Sequence, residues 1–224
     1  RDRVDTIIET ARRSPTSSNW QTYSVIVIRD EDTKARLAEL TGGQGHVARS
    51  QVFLAFAADV HRLEQAGALH GLEPAGGFNQ TLITIVDAAI VGQSAQIAAE
   101  ALGLGAVMVG GMRRRPNEVA ELLRLPDGVF VVYGMSIGWP KGDPREPGLK
   151  PRLPADLVVH RETYDDDGAD ELIRQHNAEL KAFYERRGRN LDEDAWSGPV
   201  ARSASELTYT ELRDFIVSRG FSLD

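Results

Sequence analysis

Six groups of residues have types and spacings that could do chemistry. Gly134-Met135-Ser136-Ile137-Gly138 fits G-x-S-x-G, the elbow that presents a nucleophilic serine in hydrolases. That elbow needs a helix directly after the serine turn, and Trp139-Pro140-Lys141-Gly142-Asp143-Pro144 cannot start one. A buried strand with small residues, against which another element packs closely, is the better reading. Gly103-Leu104-Gly105 with Gly110-Gly111 imitates a dinucleotide fingerprint, but that motif follows a strand and opens a helix. Gly103 instead follows a long apolar segment, where a capping glycine belongs. Gly110-Gly111 ends a strand, where it either lets a flat ligand approach backbone N–H groups or makes a plain turn.

Ser14-Pro15-Thr16-Ser17-Ser18-Asn19-Trp20-Gln21 gathers hydroxyls and amides between a helix and a strand. Such a loop binds a polar ligand, or satisfies itself through local capping bonds. Lys150-Pro151-Arg152 places two cations at i and i+2 of an extended segment, where side chains point the same way. They would converge on one anion, arginine clamping a phosphate through two bonds; the alternative is a solvated basic loop. Arg113-Arg114-Arg115 is a solvated basic run in which Arg113 is the residue placed to meet a phosphate. His46, His61, His70, His160 and His176 show no metal-ligand spacing, so no metal site is expected.

The elements that must hold these groups follow from periodicity. Residues 4–13 repeat apolar positions on one helical face, with Arg12 and Arg13 at the negative helix end and Pro15 as the stop. Residues 23–28, 52–58 and 129–137 are β-rich and read as buried strands, with a shorter one at 106–109. Residues 32–40 read as a short helix, 41–45 as a loop and 67–77 as a glycine-rich mobile excursion. Residues 82–102 are apolar nearly all round and read as the central helix. Pro116 starts a helix over 117–123, and 139–154, with five prolines, is extended loop. Residues 169–186 form a charged amphipathic helix, 191–203 are polar and irregular, and 207–219 form a last helix. Strands alternating with helices imply one central sheet in an α/β or α+β domain, and the strandless last sixty or so residues pack outside it or on a second subunit.

Composition narrows the partners. The 224 residues carry a net charge of −7, a poor surface for nucleic acid, so none is expected. There is no cysteine, which excludes disulfides, Cys-ligated zinc, iron–sulfur clusters and thiol catalysis and fits a reducing, cytoplasmic setting. The 82–102 stretch could span a bilayer by length, but Asp87, Gln93, Gln96 and Glu100 interrupt it, so no membrane partner is expected.

Taken together, these pieces carry a resemblance. ETARRSPTSSNWQ followed by YSVIVI resembles the nitroreductase family of FMN enzymes. TGGQGHVA, ALGLGAVMVGGMR and GWPKGDPREPGLKPRLP, in that order, look like its branch of oxygen-insensitive NADPH nitroreductases and NADPH-dependent flavin reductases. The resemblance runs from about Val4 to the C-terminus. It implies an α+β fold with a central, mainly antiparallel sheet flanked by helices, in an intertwined homodimer binding FMN at the subunit interface. Residues 1–224 would be one domain, 1–160 the FMN-binding core and 161–224 a helical excursion on the partner.

By the same resemblance, Thr16, Ser17, Ser18 and Gln21 contact FMN, and Gln44 bonds the polar edge of its ring. Met108, Val109, Gly110 and Gly111 bring backbone N–H groups to the reactive nitrogen. Lys150 and Arg152 hold the phosphate, while Arg113 and Arg187 serve NAD(P)H. No side chain is expected to act as acid or base. The activity implied is ping-pong hydride transfer from NADPH or NADH to nitroaromatics, quinones or free flavin. The other reading is a flavin-sequestering protein with little turnover. Three departures stand out. Arg1 is not an initiating Met, so the family's Arg-Ser-x-Arg phosphate segment is expected ahead of it. The acidic run Asp192-Glu193-Asp194 replaces a basic cluster and would repel a 2′-phosphate, and Met108 stands where an aromatic residue is usual.

Overall fold

A computed structural model describes residues 2–142, 148–206 and 208–224. The chain forms two compact units, residues 2–140 with 209–224 and residues 141–208. In the first, α1 (Arg3–Ala11), β1 (Tyr23–Ile28), α2 (Glu31–Leu40) and α3 (Gly45–Arg49) precede β2 (Val52–Asp59). Then come α4 (His61–Ala68), α5 (Phe78–Ala101), β3 (Gly105–Val109), α6 (Pro116–Leu122) and β4 (Val129–Gly138), and later α10 (Leu212–Ser218). The second unit holds α7 (Ala155–Val158), α8 (Ala169–Glu185) and α9 (Ser197–Ala204). This is the expected α+β arrangement: one antiparallel sheet in the order β1-β2-β4-β3, with helices packed against it.

The sheet is two-faced because side chains alternate along a strand. Val52, Leu54 and Phe56 of β2 join the apolar cluster of α1 and α5, while Phe53 and Ala55 join that of α2 and α6. The β2–β4 register shifts between Phe56 and Ala57, leaving Val132 of β4 as the extra residue of a bulge. Its carbonyl accepts a hydrogen bond from Nη1 of Arg113. Residues 209–224 return to the core of the first unit, where Phe221 meets Phe130 edge-on at 4.8 Å.

The central helix begins earlier than its apolar run, at Phe78. Thr81, Thr84, Ala88, Val91, Ala95 and Ala99 form its buried face. Phe78, Leu82, Val86 and Ile97 are exposed apolar side chains on the same helix. Gly92 lies on the buried side under Tyr133 of β4. A Cβ there would sit 1.8 Å from the Tyr133 hydroxyl, which donates to the Ala89 carbonyl at 3.0 Å.

Four segments differ from the sequence-based expectation. Short helices occupy 45–49 and 61–68, the second running two residues into the glycine-rich stretch 67–77. The segment 191–203, expected to be irregular, contains most of α9. Asn177 of α8 creates it: its Oδ1 accepts from the Trp196 and Ser197 amides at 2.9 Å each, a tertiary cap with no local signature. The last helix is shorter than 207–219, covering Leu212–Ser218. The expected loop 139–154 has no helix or strand among its described residues; 143–147 lie outside them, as does Leu207.

Glycine inside a helix normally costs about 1 kcal/mol against alanine. At Gly92 the sign reverses, because a methyl group there must displace Tyr133. Gly92→Ala is expected to lose about 1–3 kcal/mol by overpacking, read as a lower denaturant midpoint with an unchanged m-value.

Candidate functional site

The polar loop after α1 is held by the central helix. Asp87 is 1% exposed, and its two carboxylate oxygens accept from the Ser17 amide at 3.1 Å and the Thr22 hydroxyl at 3.0 Å. Ser14 donates to Ser94 at 2.7 Å, a second tie to the same helix. Between these ties the backbone turns sharply: Ser18, Asn19 and Gln21 have φ of 47°, 57° and 55°. Three non-glycine residues in the left-handed region cost of order 1 kcal/mol each, and the Asp87 contacts are what sustain them. The result exposes Ser17, Ser18 and Gln21, with Thr16 half-buried.

A second group forms where β3 ends in the turn Gly110–Arg113. Gln44 Nε2 donates to the Thr41 carbonyl at 2.9 Å. A Cβ on Gly111 would lie 2.6 Å from that carbonyl and 2.7 Å from Gln44 Nε2. Only glycine therefore lets the backbone after β3 press against the Gln44 amide. His46 bridges this group to the sheet, its Nε2 lying 3.1 Å from Gln44 Oε1 and its Nδ1 3.0 Å from Ser136 Oγ. Val109 is buried and Met108 is 39% exposed at the strand end. Arg113 faces the Tyr209 ring at 6.0 Å besides serving the bulge.

Ser136 lies inside β4, paired with Phe53 and Val107, and is buried. A strand interior supplies neither the elbow nor an adjoining helix N-terminus, so the G-x-S-x-G match has no hydrolase geometry.

In the second unit, Lys150 and Arg152 line a cavity of 390 Å³ with Pro151, Leu153, His176 and Trp196. Both cationic side chains are exposed. Lys150 Nζ and the Arg189 guanidinium lie 5.7 and 4.8 Å from the Tyr184 ring, and Arg187 lies 5.1 Å from the Phe183 ring. The acidic run is partly neutralised within its own unit. Glu193 pairs with Lys181, and Asp194 lies 3.6 Å from Arg202. The Glu193 hydrogen bond holds the Lys181 ammonium above its ordinary pKa.

The structure thus gathers the expected residues into three sets: the 16–21 loop on α5, the Gln44–Gly111 group backed by β4, and the Lys150–Arg152 pair in the second unit. Asp87 and His46 were not identified from sequence. In the sequence Asp87 stands out only as a charge interrupting an apolar run, and His46 as one of five histidines without metal-ligand spacing and as part of TGGQGHVA.

The chain matches the nitroreductase family over residues 1–139 and that family's C-terminal domain over residues 150–224. The chain belongs to the nitroreductase family. This family member is 38% identical over 219 residues to the oxygen-insensitive NADPH nitroreductase of Salmonella typhimurium, covering 97% of the chain and 88% of the relative. It is 35% identical over 227 residues to the FMN reductase [NAD(P)H] of Bacillus subtilis, covering 100% and 90%. Among solved structures, NfrA2 of B. megaterium superposes with a TM-score of 0.94 at 36% identity, covering 100% of this chain and 90% of that one.

Asp87→Asn keeps the shape but swaps one acceptor oxygen for an N–H group, which cannot accept from either partner. It is expected to destabilise the protein by about 1–3 kcal/mol. Hydrogen exchange at the Ser17 amide should accelerate more than exchange in the β2–β4 ladder.

Proposed function

We infer that this chain is an FMN-dependent NAD(P)H oxidoreductase that reduces nitroaromatics, quinones or free flavin by a ping-pong mechanism. The observation that carries the reading is the Thr41–Gln44–Gly111 cradle within a nitroreductase-family chain. A flat ring with a polar edge fits it: a side-chain amide on one margin, and no Cβ at Gly111. The named relatives support the same reading, one an NADPH nitroreductase and one an FMN reductase.

FMN, when bound, supplies the two-electron carrier that takes hydride from NAD(P)H and passes it to the acceptor. The residues of this chain do the rest. Thr16, Ser17, Ser18 and Gln21 offer hydroxyl and amide contacts from a loop that Asp87 has already ordered, so little entropy is lost on binding. Gln44 directs its amide donor to the polar edge of the ring. The backbone of Met108, Val109, Gly110 and Gly111 would offer N–H groups to the bound ring, where donors would favour its reduced state. Lys150 and Arg152 hold the phosphate. Arg187 and Arg113 each serve NAD(P)H, part of the Arg113 guanidinium being committed to Val132. With Glu193 and Asp194 already facing Lys181 and Arg202, the repulsion of a 2′-phosphate is reduced, and both NADPH and NADH are accommodated as donors. No side chain acts as a dedicated acid or base.

The protein works as a cytoplasmic homodimer in this reading. Support for the dimer is the exposed apolar side of α5, with Phe78, Leu82, Val86 and Ile97, and the exposed Val107 and Met108 on edge strand β3. The 161–224 excursion packs on the partner up to the point where residues 209–224 rejoin their own core.

Two measurements test this reading. The purified protein should show flavin bands that bleach on anaerobic addition of NADPH or NADH; bands that persist with both donors overturn the reductase assignment. In the double variant Lys150→Ala/Arg152→Ala, FMN affinity should fall about 10–100-fold, as expected for losing charge-assisted bonds of about 1.5–3 kcal/mol. Titration of flavin-free protein with FMN, followed by quenching of flavin fluorescence, reads it directly.

A further inference from the structure

We propose that His46 is a positioning residue that turns the donor end of the Gln44 amide toward the flavin, acting through the chain Ser136–His46–Gln44–Thr41. The proposal rests on the reading of Gln44 as a flavin contact.

The direction of this chain is fixed at one end by a group that cannot change its role. The Thr41 carbonyl only accepts, so the Gln44 atom 2.9 Å away must be the amide nitrogen. Oε1 is then the atom facing His46 Nε2 at 3.1 Å. An amide oxygen only accepts, so Nε2 carries the proton. In the neutral ring Nδ1 is left as an acceptor, and the Ser136 hydroxyl, 3.0 Å away, donates to it. Protonation of His46 leaves the arrangement intact, because a hydroxyl can also accept from Nδ1–H. The single form that breaks it is the neutral Nδ1–H tautomer, which sets two lone pairs against each other at Gln44.

The consequence lies at the second Nε2–H of Gln44. It has no hydrogen-bond partner among the described residues, and the amide nitrogen lies against Gly111. With Oε1 held by His46, that N–H is the end of the amide left for a bound ring. Its complements are the carbonyl oxygens of the flavin's pyrimidine edge, which gain negative charge on reduction. A donor there favours the reduced state over the oxidised one. Without His46, Oε1 loses its partner and the amide is held through the Thr41 carbonyl alone, so its free N–H is aimed less firmly at those carbonyls. Ser136 anchors the ring to the interior of β4, which accounts for a buried hydroxyl in a strand that otherwise packs apolar side chains.

The test compares FMN-loaded wild type with His46→Phe, His46→Gln and Gln44→Ala. His46→Phe removes the donor. The preference for reduced over oxidised FMN should fall about tenfold, which for a two-electron couple is a midpoint shift of about −30 mV. His46→Gln, whose amide nitrogen reaches the position of Nε2, should restore most of it. Gln44→Ala should lower the potential similarly, and combining it with His46→Phe should add little. Nitrogen-15 NMR of the flavin-free protein should show His46 with its proton on Nε2. A potential unchanged in folded His46→Phe, while Gln44→Ala shifts it, overturns the positioning role alone. No shift in either variant overturns the placement of Gln44 at the flavin. An Nδ1–H tautomer in the NMR spectrum overturns the proposed chain of bonds.

Discussion

The arrangement depends first on one buried carboxylate. Burying an unpaired charge costs several kcal/mol, and Asp87 escapes that cost by accepting from Ser17 and Thr22. The bargain works in both directions. The loop after α1 needs the carboxylate to stabilise three left-handed residues, and the buried carboxylate needs the loop's donors as hydrogen-bond partners. The helix that fills the core and the loop that faces a ligand are thus tied to one another.

Strand β4 is the second shared platform. Its bulge at Val132 frees a carbonyl for Arg113, which secures the turn after β3. One residue on, Tyr133 reaches across to the backbone of α5. Further along, Ser136 supports His46. A single buried strand therefore supports both sides of the polar cradle and the helix behind the 16–21 loop. Its side chains bear little variation in volume, as the absent Cβ of Gly134 against Phe53 also illustrates.

Much of this was legible in the sequence because the determining patterns are local. The β-branched and aromatic runs at 23–28, 52–58 and 129–137 announce strands, Pro116 a helix start and Gly103 a helix end, where φ is indeed +77°. The Thr16–Gln21 and Gly110–Gly111 segments stand out by their polar or glycine-rich composition, whereas Gln44 is picked out only by the family resemblance. What stayed hidden depends on partners distant in sequence. Asp87 bonds residues 70 and 65 positions away, and His46 bonds one 90 positions away. Helix α9 owes its first turn to Asn177, and the partners of Glu193 and Asp194 appear only once α8 and α9 are in place. No single-residue pattern encodes such pairs; they exist only after folding.

The fit of Tyr133 over Gly92 also sets a limit on the alkaline side. Burial raises the phenol to a pKa of about 12, against 10 in the unfolded chain. Between those values the unfolded chain releases a proton that the folded one retains, so the balance tips toward unfolding as pH rises. Packing that makes the central helix fit closely at neutral pH thus makes this contact the phenolic brake on how basic a solution the fold can tolerate.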